Sequence, residues 1–523
     1  MPSTVANLLA FGVFLYVARR LYVRYAVQRG LPLPPGPRGL PIIGNLFDLP
    51  RNAGAYLEIT KMAEEYQTDL LYFNVVGTPY LILNTQEAAT DLFVSRAANN
   101  SDRPPFPMAY LMGLDSPFVF AEYGESWRKQ RNVFQQEAAP ASLDMYMKPA
   151  IHENLSALLY SILENPDKYD HHIHRHFAGT ILSVAFGITK EDPFDYLLDL
   201  SIGGMQVVSD TTVFGSYIVD HIPALIKLPA WFPGLTIKKE VAQRKPDVDK
   251  MMTEPMMYAK KKIENGKGAV KSSMASRQLQ QMQDEGTWSE KEEWILANAL
   301  GSMYAAGSDT MSSTVLNLIL AFVLYPEVQK KAHAVIEAAI GSNRLPELSD
   351  EHRIPYMDAL VMELLRWKPI SPLPIAHQST EADVYKGYYI PKGTVLVTNT
   401  WAILQNPAVY GEDVADFRPE RFLKADGTVN NDLPYPGAFG WGKRSCPGKN
   451  IATSAIWMTS ATLIAAYEFT RGIDAKGNPI IPSAEILPGL LAAPKPFKCN
   501  IKPRSKPIEN MIRQKKVQHD LSN

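Results

Sequence analysis

Cysteine is almost absent from this chain, with two in 523 residues, Cys446 and Cys499. Two thiols so far apart build neither a disulfide framework nor a cysteine zinc site, and the chain reads as one facing a reducing compartment. Net charge is nearly absent as well. At −1, with a pI near 6.8, the chain lacks the polyelectrolyte attraction on which nucleic-acid binding rests. There is no internal repeat and no long low-complexity block, which removes solenoid and linker-array architectures. No glycine-rich dinucleotide fingerprint occurs, so the chain does not bind its own nicotinamide or flavin in that way. What it has is hydrophobic mass: 46% of the residues, enough to bury a very large core, over a length that alone suggests about three domains.

The N-terminus carries the apolar run Val5–Ala18, followed by Arg19, Arg20, Arg24 and Arg29. The run is shorter than the roughly 20 residues that span a bilayer core. Leu21, Tyr22 and Val23 extend it while the arginines reach back to the headgroups, which gives a tilted membrane anchor over 1–28. Cations after the run and none before it keep the body on the cytoplasmic side. A cleaved signal peptide is the competing reading, against which stands the lack of a basic leading segment. The segment 29–40 contains Leu33-Pro34-Pro35-Gly36-Pro37, a stiff extended hinge.

Strand signals fall at Leu70 to Val76 and Tyr80 to Asn84. They return at Val384 to Ile390 and Thr394 to Thr400, bounded by Lys386-Gly387 and Pro391-Lys392-Gly393. Helical periodicity dominates between them. The expected fold is therefore mainly α with a small β-sheet region (α+β), the two strand regions pairing at long range, and with 502–523 as a loose polar tail. One helix stands out. It starts at Ser289, where Glu292 completes a capping box, and runs unbroken to Tyr325 before Pro326, roughly 54 Å. Its centre, Ala306-Gly307-Ser308-Asp309-Thr310, sets a glycine, an acid and a β-branched hydroxyl among apolar neighbours. The Thr310 hydroxyl can bond the Ala306 carbonyl, bend the helix and open room for water; a solvated acid and a packing threonine are the plainer alternative.

Cys446 lies in Phe439-Gly440-Trp441-Gly442-Lys443-Arg444-Ser445-Cys446-Pro447-Gly448, just before an apolar helix over Asn450 to Tyr467. A cation two residues earlier and amides at a helix start favour a thiolate. Pro447 has no N–H, so the amides come from Gly448 and Lys449. A buried structural cysteine is the competing reading; Cys499 has no such surroundings and reads as packing. The spacing Phe-x-x-Gly-x-Arg-x-Cys-x-Gly resembles the haem-binding loop of the cytochrome P-450 family. There the cysteine is the axial ligand and pushes electron density onto iron to favour O–O cleavage.

Four further segments resemble that family in order. Trp127 and Arg131 match its Trp-x-x-x-Arg, the Ala306–Thr310 segment its oxygen-activation groove, Glu363 and Arg366 its Glu-x-x-Arg, and Pro419–Phe422, with Arg421, its Pro-x-Arg-Phe. The hinge too resembles that of its membrane-bound members. The resemblance implies one large haem-thiolate domain over 41–501, with haem as cofactor and Cys446 on the iron. Phe439 and Gly440 belong to the same cofactor loop, and Arg444, Trp127, Arg131 and His377 hold the haem propionates. Asp309 and Thr310 manage protons, Gly307 makes room for oxygen, and Glu363, Arg366 and Arg421 form a structural triad. A satisfied core histidine is the other reading of His377. The cluster His171, His172, His174 and His176 has no known ligand spacing and reads as a polar helix entry. Leu404 departs from the family, whose members often carry histidine there, at what reads as a surface position.

The resemblance further implies a monooxygenase, looking closest to fungal microsomal members, which inserts one oxygen atom of O2 into a C–H or double bond. Electrons would come from NADPH through a separate flavoprotein reductase; Arg128, Lys129, Lys443 and Lys449 on the cysteine side are candidates to receive its acidic surface, with ordinary solvated cations the equal alternative for each. Pocket segments by family position are Phe118-Val119-Phe120, Met303-Tyr304, Leu373-Pro374-Ile375 and Leu490-Leu491. Their apolar character favours a lipophilic secondary metabolite, terpenoid or polycyclic, arriving from the endoplasmic reticulum membrane, with the catalytic domain facing the cytoplasm. A haem-thiolate isomerase or dehydratase needing no reductase, or a non-catalytic membrane haem binder, are the alternatives.

Overall fold

The long helix is the axis of the molecule. In the computed structural model it spans Glu290–Leu324, and Ser289 caps it by accepting the Glu292 N–H at 3.2 Å. The second half of the expected capping box is missing, because the Glu292 carboxylate instead pairs with Lys129 on the helix Glu125–Glu137. Apolar residues surround the helix, and a helix of that kind must be enclosed. The helices Tyr169–Phe186, Ile237–Glu264, Glu125–Glu137 and Lys449–Ala466 enclose it. Among the described residues it is the one helix long and apolar enough to cross a membrane, yet it lies inside the core. The structure describes residues 30–522 with Tyr25 and Gln28, apart from 51–53, 190–191, 213–216, 230–235, 265–271, 434, 436 and 488. The anchor expected over 1–28 therefore lies outside the described residues, those two positions aside.

The two strand regions do meet. Strands β1 (Leu70–Val75) and β2 (Thr78–Leu83) form a hairpin. Beside β2 lies β6 (Val395–Thr398), parallel, with Leu81 opposite Leu396; β3 (His377–Gln378) pairs antiparallel on its far side. The segment Val384 to Ile390 does not join this sheet. Lys386 and Gly387 both take positive φ, 50° and 80°, and fold it into the separate hairpin β4–β5 (Asp383–Tyr385 and Tyr388–Ile390). A third pair, β7 (Tyr467–Arg471) with β8 (Cys499–Pro503), was not legible in the sequence. The chain beyond 502 is not loose: it completes β8 and forms the helix Lys506–Ser522, which buries Ile508 and Ile512 against Pro140–Glu164. Its apolar residues sit four apart among many charges, a stripe too narrow to stand out.

The ion cluster takes the predicted form. Glu363 accepts Arg366 Nε at 2.6 Å and Arg421 Nε at 3.0 Å, with all three side chains buried. The arginines also bond the carbonyls of Leu404 and Asp416, among others, and so fix the segment leading to the cysteine loop. Leu404 is no surface residue: it is fully buried with Met362, Tyr410 and Phe422, and only its carbonyl is read by Arg366.

Candidate functional site

Cys446 is held by the backbone on both sides. Its N–H donates to the Phe439 carbonyl at 2.7 Å, closing the loop into a tight hairpin in which Gly440 (φ 72°) and Gly442 (φ 54°) supply the left-handed turns. Gly448 caps the following helix, Lys449–Ala466, one residue earlier than the sequence suggests. Burial pushes the thiol pKa up, while the Gly448 amide and the Arg131 charge pull the other way. Cys446 nevertheless keeps accessible surface and lines a cavity of about 350 Å³.

Gly442 shows how closely the loop is clamped. A Cβ there would collide with the Phe93 carbonyl, in a backbone region that side chains avoid. Gly442→Ala should therefore cost about 3 kcal/mol, combining the left-handed penalty with overpacking. Thermal unfolding together with the haem content of the purified protein checks this. An unaltered value of both would mean that the loop can shift freely.

The middle of the long helix lines the same cavity as the sulfur, through Ala306, Gly307 and Thr310. The Thr310 hydroxyl donates to the Ala306 carbonyl at 2.7 Å, as the sequence predicts. Gly307 does a further job: a Cβ there would meet Ile181 Cδ1 at 3.1 Å, so the glycine also lets the helix Tyr169–Phe186 come close. Asp309 is not among the lining residues. Its carboxylate points to the neighbouring face, where Oδ1 lies 3.5 Å from His174 Nδ1, and both side chains keep some contact with solvent. Of the other clustered histidines, His176 bonds Thr459 Oγ1 at 3.0 Å inside the core.

One end of the cavity is cationic. Arg444 donates to the carbonyls of Ser101, Phe118 and Ala121, with its guanidinium 4.6 Å from the Trp127 ring centroid; burial lowers its pKa to about 10. Arg131 is buried beside Ser445, and burial lowers its pKa too. His377 Nδ1 donates to the Asn100 carbonyl at 2.9 Å, and burial with two neighbouring arginines holds its pKa well below the usual range. Its other nitrogen becomes a donor only when an anion arrives to restore the proton. Arg103 was missed in the sequence. It bonds the carbonyls of Val119, Ile375 and Ala376 and lines the same end, its pKa depressed by burial and by Arg444. Nothing in Ser101-Asp102-Arg103-Pro104 sets it apart from a surface arginine; its partners lie far along the chain.

A haem fits this donor set. Cys446 is the one thiol lining the cavity, and among the described residues no three His, Cys, Asp or Glu side chains gather to hold an ion, so the remaining donors must arrive with the metal. Desolvated arginines at one rim suit the carboxylates of such a planar group, and apolar walls suit its faces. Of the predicted pocket segments, Phe118–Phe120, Met303, Pro374, Ile375, Leu490 and Leu491 line the cavity. Tyr304 and Leu373 do not. Tyr304 is spent on the Leu197 carbonyl, and Leu373 packs on the sheet side.

A mostly helical domain whose long central helix and a lone cysteine line one apolar cavity with a cationic end points to a haem-thiolate protein. The sequence pattern of the family described as Cytochrome P450 matches residues 34–501, and the chain belongs to that family. It is 36% identical to a cytochrome P450 monooxygenase of Armillaria gallica, over 94% of this chain and 95% of the relative. It is 37% identical to the cytochrome P450 monooxygenase COX2 of Coprinopsis cinerea, over 93% and 92%. With the tryptamine 4-monooxygenase of Psilocybe cyanescens it shares 36% over 91% and 94%. By family it is a haem-thiolate oxidoreductase that incorporates one oxygen atom into its substrate.

Proposed function

We propose that this chain hydroxylates or epoxidises a neutral lipophilic small molecule of fungal secondary metabolism, terpenoid or polycyclic. It would draw electrons from an NADPH-dependent flavoprotein reductase at the endoplasmic reticulum membrane. The observation that carries this reading is the cavity lining: among the described residues it contains no aspartate, glutamate or lysine, and its charges gather at the cofactor end. A charged substrate buried there would lack a partner, at a cost of several kcal/mol. An ammonium substrate of the kind named for the Psilocybe relative is therefore disfavoured.

Haem held through the Cys446 sulfur would supply dioxygen reduction and O–O cleavage. The residues of the chain supply the rest. Gly448 N–H and Arg131 stabilise negative charge on the sulfur; Arg103, Arg131 and Arg444 hold the carboxylate rim, with Trp127 and His377 beside them. Phe439 and Gly440 shape the loop. Per turnover, one oxygen atom enters a C–H bond, and two electrons and two protons carry the other to water. Thr310 Oγ1 holds a proton at the groove, and Asp309, partnered with His174 on the neighbouring helix face, keeps contact with the solvent from which protons are drawn.

Thr310→Ala should then lower product formed per NADPH consumed by at least about tenfold, well within the hundredfold or more that general acid–base catalysis contributes, with haem content unchanged. Product and NADPH measured together in membranes containing a reductase check this. Equal coupling would remove Thr310 from proton handling, and turnover without NADPH would favour the isomerase reading. Of the docking cations, Lys129 is engaged with Glu292, while Arg128, Lys443 and Lys449 stay exposed near the cysteine loop for an acidic partner.

A further inference from the structure

Three hydroxyls on the long helix line the cavity, Ser302, Thr310 and Thr314. Each gives its proton back to the helix. Ser302 Oγ donates to the Asn298 carbonyl at 2.7 Å, Thr310 to Ala306 at 2.7 Å, and Thr314 to the Thr310 carbonyl at 2.8 Å. With its hydrogen committed four residues back, each oxygen turns lone pairs alone toward a guest. Away from Thr310, whose proton the reaction uses, this helix wall therefore meets a guest as an acceptor, through Ser302 and Thr314. No cavity-lining carboxylate among the described residues competes for a guest's donor.

Ser302 is the hydroxyl placed to use this on a substrate. It lies eight residues before Thr310, about 12 Å along the helix, beyond the groove where oxygen is activated. Its surroundings are apolar: Met303 follows it, and Met205 and Met252 line the cavity with it, unbranched thioethers that mould to irregular skeletons. One acceptor in such a wall fixes orientation without adding charge.

Resting on the monooxygenase reading above, we propose that Ser302 anchors an alcohol O–H of the substrate, so that the enzyme selects hydroxylated terpenoid or polycyclic skeletons and oxidises them far from that hydroxyl. The substrate is then itself the product of an earlier oxygenation or of a cyclisation quenched by water. The carbon oxidised lies several bonds from the carbinol carbon, because anchor and groove are about two helical turns apart.

The test uses the full-length haem-loaded protein in lipid discs. The probes are a tricyclic sesquiterpene alcohol, the ketone of the same skeleton and its O-methyl ether, each titrated by the Soret spin-state shift and by calorimetry. The alcohol should bind at least about fivefold more tightly than ketone or ether, the worth of one neutral hydrogen bond. Ser302→Ala should bring the alcohol down to the level of the ether and leave the ether unchanged; the Asn298 carbonyl keeps its backbone partner, so folding is not at risk. Equal binding of alcohol and ether in the unaltered protein, or a preference that survives Ser302→Ala, overturns the proposal and leaves the lipophile reading standing. If none of the three binds while the carbon monoxide band is intact, both fall. A product oxidised at the carbinol carbon also overturns the anchor.

Discussion

Cys446→Ser protein should fold, retain little haem and form no product above background. A serine hydroxyl is a far weaker anionic donor than a thiol, and no second thiol or carboxylate lines the cavity among the described residues. The fold should survive, because the loop is closed by the Cys446 N–H to the Phe439 carbonyl, a backbone bond that serine keeps. Two measurements check this: haem per chain, and the reduced, carbon monoxide-bound difference spectrum, in which the thiolate band should vanish. Cys499 cannot rescue it. That thiol sits on β8, and burial pushes its pKa up to about 12, which leaves it protonated and inert. Cys499→Ser should accordingly leave the band untouched. A thiolate band that persists in Cys446→Ser would mean that the iron ligand has been misassigned.

The parts of the site that were legible in the sequence are those whose partners lie nearby or whose spacing is rigid. The loop around Cys446 is set by glycines that only a tight turn demands, and the Thr310–Ala306 bond is a one-turn helix contact. Glu363 and Arg366 share a helix face, and burial then forces a third partner, which the segment at Arg421 supplies. What stayed hidden depends on chain returns. Arg103 becomes a cavity residue only because Ile375 and Ala376 come back to meet it. Asp309 lies next to Thr310 in sequence, but adjacent helical residues point about 100° apart, and the carboxylate goes to His174 instead of the cavity. The C-terminal helix failed for a different reason: its two buried isoleucines are sparse among charges, so composition outweighed periodicity.

Glu363→Gln should be among the most destabilising single changes outside the cofactor wall, by about 3–5 kcal/mol. The carboxylate takes four donors: Arg366 Nε and Nη2, Arg421 Nε and the Arg418 N–H. Arg366 has no exposed surface, so an amide in place of the carboxylate leaves a guanidinium charge buried and without its counter-ion, while the new NH2 faces donors. Asp413, which pairs with Arg421 at 3.2 Å, is too exposed to compensate for both arginines. Removing both charges in Glu363→Gln/Arg366→Met should recover part of the loss, since the uncompensated charge disappears, but not all of it. Arg366 also satisfies the Leu404 and Asp416 carbonyls, and those would be orphaned. Because those carbonyls belong to the segment leading to the cysteine loop, haem retention should fall in step with stability. Denaturant unfolding followed by circular dichroism, with haem release read in parallel, separates the outcomes. A Glu363→Gln protein as stable as the unaltered one would show that the triad is incidental, and a double variant no better than the single would show that orphaning the carbonyls costs as much as the stranded charge.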